Sequence, residues 1–135
     1  MTLICQTTWE DCLPARLMIV DDTLFMRRML RDLLTRQGYE VVAEARNGRE
    51  ALENYQQTHP DLVIMDITMP EMDGISAVRA ILQVHPQARI VMCSALGQDG
   101  PVMEALQAGA QDFVLKPFLP EKVLEAVQKN LQVDA

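Results

Sequence analysis

Apolar residues in this chain come in two alternating rhythms. Short unbroken runs occupy residues 17–20, 41–43, 62–65, 90–92 and 113–115, each closed by polar residues. Runs this short and continuous predict strands buried on both faces. Between them the spacing turns helical. Met26, Met29, Leu30, Leu33 and Leu34 fall at i, i+3, i+4, i+7 and i+8, which assigns Arg27, Arg28, Arg31 and Arg36 to a solvated face. Gly38 supplies the stop. Further helices are predicted over 50–58, ended by His59-Pro60, over 75–84, ended by Pro86, and over 102–108, ended by Gly109. A last helix follows Pro120 and runs to residue 131.

Five strands alternating with five helices predict an α/β fold, a doubly wound three-layer sandwich around a five-stranded parallel sheet. The flavodoxin-like strand order 2-1-3-4-5 is the expected topology. Residues 1–15 share neither rhythm, hold the single Trp and read as a flexible N-terminal extension, with the domain proper over 16–133. The length of 135 residues suits one domain, and residues 132–135 leave no room for a second after the last helix.

Charge and composition narrow the function classes. A net charge of −7 disfavours nucleic-acid binding, which wants a basic face. There is no apolar run approaching the ~20 residues of a membrane span, and no basic segment followed by an apolar core as in a secretory signal. The three cysteines, Cys5, Cys12 and Cys93, are odd in number and lack metal-ligand spacing, which fits reduced thiols in the cytoplasm. His59 and His85 each precede a proline and read as helix ends rather than ligands.

In open parallel sheets the chemistry lies beyond the carboxyl ends of the strands. Asp21 and Asp22 follow the first strand, Asp66 the third, Ser94 the fourth and Lys116 the fifth. Any one of these alone reads as a turn former, and Asp22 or Thr23 would serve as a cap for the first helix. Together they put three carboxylates, a hydroxyl and a lysine on one edge. One lysine cannot neutralise three carboxylates, so a cation or protons must. An all-oxygen donor set with few carboxylates suits Mg²⁺, and with no His or Cys at these strand ends zinc is not expected. Asp66, after the central strand, is placed to act as a nucleophile toward a phosphoryl group, with Lys116 on its oxygens and Ser94 donating a hydrogen bond to the product.

The segments Ile19-Val20-Asp21-Asp22, Met65-Asp66-Ile67-Thr68-Met69-Pro70-Glu71-Met72-Asp73-Gly74, Cys93-Ser94-Ala95 and Lys116-Pro117-Phe118 resemble the receiver domains of two-component response regulators. The resemblance covers residues 16–131, and without an output domain it is strongest to the stand-alone, CheY-like chemotaxis regulators. It implies that Asp66 is the phosphorylated aspartate, and that Asp22, Asp66 and the backbone carbonyl of Thr68 ligate Mg²⁺ while Asp21 acts largely through water. It further implies that Ser94 is the switch hydroxyl, that Lys116 contacts the phosphoryl group through a chain with a cis bond to Pro117, and that Phe113 is the aromatic coupled to Ser94. Many chemotaxis members carry tyrosine at that last position.

The expected function is therefore that of a monomeric, non-enzymatic response regulator of bacterial chemotaxis. It would take phosphate from a sensor histidine kinase and act on a flagellar motor switch protein, with a phosphatase as a further partner. The alternative on the same residues is a phosphorelay intermediate that passes phosphate to a histidine phosphotransfer protein. An aspartyl-nucleophile phosphatase would want an Asp-x-Asp pair and a cap domain, and an FMN module a loop of hydroxyls and amides; the adjacent Asp21-Asp22 pair fits neither.

Overall fold

The computed structural model describes residues 3–4, 13–67, 69, 72–95, 99–116 and 119–131. Each predicted run becomes a strand: β3 (Arg16–Val20), β4 (Glu40–Ala45), β5 (Leu62–Asp66), β6 (Ile90–Ser94) and β7 (Asp112–Leu115). All pair in parallel, in the order β4-β3-β5-β6-β7, which is 2-1-3-4-5 counted along the chain. Ahead of this sheet, β1 (Leu3–Ile4) and β2 (Leu13–Pro14) form a separate antiparallel pair with Ile4 opposite Leu13.

Helices α1 (Leu24–Arg36), α2 (Gly48–Thr58), α3 (Gly74–Val84), α4 (Asp99–Ala108) and α5 (Pro120–Leu131) complete the layers among the described residues. Successive side chains of a strand point to opposite faces, and the two halves of the core follow that alternation. Met18, Val20, Val63, Met65, Ile90 and Met92 pack with Ala51, Val78, Ile81 and Ala105 from α2, α3 and α4. Leu17, Ile19, Leu62, Ile64 and Val91 pack with Leu30 and Leu34 of α1 and Val123 and Val127 of α5. Every residue of β5 and β6 is buried, as continuous apolar runs require.

Two departures from the sequence pattern have physical causes. Helix α4 begins ahead of Pro101, because proline is tolerated in the first turn, where its missing N–H has no partner to lose. In α1 the buried stripe is Arg27, Leu30 and Leu34, while Met29 lies exposed, so the apolar face is turned by about one residue and Arg27 is not on the solvated side. The stops behave as expected: Gly38 and Gly109 take positive φ of 92° and 121°. His59 ends α2 with φ 46°, a left-handed conformation rarely adopted by a side-chain-bearing residue.

Candidate functional site

The chain runs from β3 outward to β4 and returns on the other side to β5, so strand order reverses between β3 and β5. Asp21 and Asp22 follow β3, and Asp66 ends β5, at that switch point. A carboxylate oxygen from each of the three lies within 4.8 Å of the others. Lys116, one residue past β7, reaches the same point, with Nζ 3.1 Å from Asp21 Oδ2 and 3.3 Å from Asp66 Oδ2. Asp21 and Asp66 are buried and Asp22 is exposed, which leaves the cluster open to solvent on one side.

Electrostatics favours a cation here. Burial pulls the Lys116 pKa down, but the hydrogen bond to Asp21 and the charges of Asp66 and Asp21 outweigh it, and the net shift is upward. The ammonium is thus held charged, and one positive charge still faces three carboxylates. The donors are all hard oxygens, which fit Mg²⁺ in a site completed by waters.

The positions are built from main chain outward. The Asp21 amide donates to the Ala45 carbonyl at 3.0 Å, and the Ile67 amide to the Cys93 carbonyl at 3.1 Å, so both strand ends stay in the sheet. Asp21 Oδ1 accepts the Thr23 amide at 2.9 Å, while the α1 N-cap residue Thr23 makes no side-chain cap bond. The aspartate after β3 therefore turns the loop, and neither Asp22 nor Thr23 is consumed as a helix cap. Gly74 opens α3 directly against the end of β5. Its amide donates to the Ile67 carbonyl at 2.8 Å, and a Cβ there would collide with the carbonyl oxygen of Asp66.

The apolar spacing of α1 puts Arg27 on the solvated face, and the structure corrects this. It is 9% exposed; its Nη1 donates to the Asp21 carbonyl at 2.7 Å and its Nε to Glu44 Oε1 at 3.2 Å. Arg31 holds the other oxygen of Glu44 at 2.7 Å. A buried guanidinium thus ties the acidic loop to β4. The signal was present in the spacing, since positions 27, 30 and 34 share one helical face.

Ser94 ends β6, one residue past the Asp66–Cys93 pair of the ladder. It is fully buried, and its Oγ has no hydrogen-bond partner among the described residues. The Lys116 amide donates to its carbonyl at 2.7 Å. Phe113, paired through its backbone with Met92, is 40% exposed, so its ring is turned outward. Thr68 and Pro117 lie outside the described residues, as do residues 5–12 of the extension and 132–135. Cys93 is buried and a free thiol, and burial pushes its pKa far up, in keeping with an inert role.

The family model for the response regulator receiver domain matches residues 17–128. The chain belongs to that family. Among curated relatives, this receiver is 59% identical over 116 residues to the chemotaxis protein CheY of Bacillus subtilis (strain 168), covering 86% of this chain and 97% of that one. It is 56% identical over 114 residues to the CheY of Thermotoga maritima, covering 84% and 95%. Among solved structures, the complex of CheX, CheY, BeF₃ and Mg²⁺ from Borrelia burgdorferi superposes with a TM-score of 0.87 at 34% identity, over 93% of this chain and 96% of that chain. The receiver is thus a two-component signalling domain with chemotaxis proteins among its relatives, and its acidic cluster has the makings of a metal centre. No described helix is long and apolar enough to cross a membrane.

Proposed function

We propose that this receiver accepts a phosphoryl group on Asp66 from the phosphohistidine of a chemotaxis kinase and thereby switches its affinity for a partner protein. The observation that supports the reading is the convergence of Asp21, Asp22 and Asp66 with the Lys116 ammonium at the strand-order reversal. An Asp66 oxygen attacks phosphorus in line, the O–P bond forms as the N–P bond breaks, and the departing imidazole takes its proton from water. Asp22, Asp66 and the Thr68 carbonyl would hold Mg²⁺, with Asp21 acting through water, and the ion would neutralise charge on the phosphoryl oxygens.

The other residues act on the product. Phosphorylation takes the side chain from about −1 toward −2 and adds strong acceptors. Lys116, already shared between two carboxylates, moves onto a phosphoryl oxygen. The buried Ser94 hydroxyl, which has no partner in the resting form, donates to another. Its movement opens room beside β6, and the outward ring of Phe113 turns in to fill it. That changes a groove of about 380 Å³ between β7 and α5, lined by Phe113, Leu115, Leu119 and Ala126. A flagellar motor switch protein or a phosphatase senses the change; the Borrelia relative, solved in complex with CheX, supports a protein partner for such a receiver. The protein acts in the cytoplasm as a monomer and relays a signal without turning over a substrate of its own.

The test uses acetyl phosphate carrying labelled phosphorus with Mg²⁺. Label is expected on Asp66 and absent from Asp66→Asn. Label that persists in that variant overturns the assignment.

A further inference from the structure

The edge of the sheet opposite the acidic cluster carries a second group of ligating side chains. Helices α2 and α3 both end there, with His59 and His85 as their C-caps. The two are far apart in sequence, yet their ring centroids lie 5.2 Å apart at an interplanar angle of 84°. Tyr55 closes the group, its ring 4.7 Å from His85 and 6.0 Å from His59. His85 Nε2 is buried and has no hydrogen-bond partner among the described residues. A buried ring nitrogen without a partner is open to a metal ion in the tautomer that protonates the other ring nitrogen.

We propose that His59 and His85 bind one divalent late transition-metal ion, of the zinc, nickel or copper(II) class, at this edge. Imidazole suits these metals. With metal–nitrogen bonds of about 2.0–2.1 Å, two rings on one tetrahedral ion have centroids about 5 Å apart, which is the spacing found. The His χ2 torsion is broad, so each ring turns its nitrogen toward a common point without moving the backbone. The surroundings favour positive charge. Two helix C-termini, each carrying about half a negative charge, converge here, and Asp61 lies near enough to Tyr55 to help raise its pKa behind the larger effect of burial. Arg16 also reaches this corner, donating to the His59 carbonyl at 3.2 Å, and is matched by Asp61, whose Oδ2 accepts the Arg16 amide at 2.8 Å. Waters complete the shell on the exposed side of His59. The bound ion would clamp the end of α2 to the end of α3.

Zinc chloride is titrated calorimetrically into the full chain with Mg²⁺ in large excess, so that the acidic cluster is occupied by its preferred ion. One equivalent of zinc is expected to bind with a micromolar constant and to raise the thermal midpoint. His59→Asn removes the imidazole while asparagine keeps the left-handed backbone, and it is expected to weaken zinc binding at least tenfold. His85→Gln is expected to do the same, and the ¹⁵N shifts of both rings in the wild type are expected to move on binding. Zinc binding of equal strength in wild type and His59→Asn, no saturation below millimolar zinc, or unmoved ring shifts overturns the proposal. None of these readouts involves phosphorylation, so this site and the acceptor role of Asp66 stand or fall separately.

Discussion

The Lys116 ammonium stands 3.3 Å from Asp66, bringing a residue past the last strand onto the carboxylate that ends the central one. The same nitrogen is 3.1 Å from Asp21, which is almost wholly buried. One cation therefore bridges the acidic loop after β3 and the carboxylate at the end of β5. It joins the two sides of the strand-order reversal before any metal or phosphoryl group is considered.

That bridge has an alkaline signature. The folded pKa of Lys116 lies above its unfolded value, so its contribution to stability is complete below the unfolded pKa, about 10.4, and is lost as pH rises through the folded one. Lys116→Met removes the charge at every pH. The gap in thermal midpoint between wild type and Lys116→Met, followed by circular dichroism, is expected to be wide at pH 8 and to close above about pH 10.5. A gap that stays constant through pH 11.5 contradicts the ion-pair assignment.

Arg27 is expected to matter more than its place on a charged helix suggests. Arg27→Met leaves the Asp21 carbonyl without its 2.7 Å donor and Glu44 with Arg31 alone. The expected loss in urea unfolding is about 1–3 kcal/mol, the range for stranding buried polar groups. A double-mutant cycle with Glu44→Gln is expected to show coupling of at least 0.5 kcal/mol, as for residues in direct contact.

Gly74 is fixed by close approach, not by its dihedral angles. A methyl group there meets the Asp66 carbonyl and the Ile67 Cα, and neither yields without shifting β5. Gly74→Ala is expected to destabilise by about 3 kcal/mol, the upper end for overpacking. Asp73→Ala next to it removes only the cap on the Ser76 amide and is expected to lose about 1 kcal/mol. Denaturant midpoints that rank the two in the reverse order count against the contact.

Ser94→Ala separates folding from switching. The hydroxyl is buried with no partner, so deleting it is expected to leave stability unchanged or raise it by up to about 1 kcal/mol. Under the switch role proposed for Ser94, the phosphorylation-dependent gain in partner binding is expected to fall. A marked drop in unphosphorylated stability would show that Oγ already has a partner.

The strands and their order were legible because β3, β5 and β6 are buried on both faces and so lack any polar interruption. The acidic cluster was legible because topology alone sends the residues after β3, β5 and β7 to one edge. Arg27 departs from the side that the apolar spacing of α1 gives it, because a guanidinium with two acceptors waiting sits on a buried stripe as readily as a leucine does. The pairing of His59 with His85 was hidden for another reason. Each looks like an ordinary helix end before proline, and only the packing of α2 beside α3 brings their rings together.

Every residue from Leu62 to Met65 and from Ile90 to Ser94 is almost wholly buried, and Asp66 at the end of β5 keeps only a small part of its side chain in solvent. In a close-packed interior each such position tolerates little beyond a change of similar volume. The helix exteriors carry no such constraint. Substitution is therefore cheap on the outside of the layers and costly along the two strands beneath the acidic cluster.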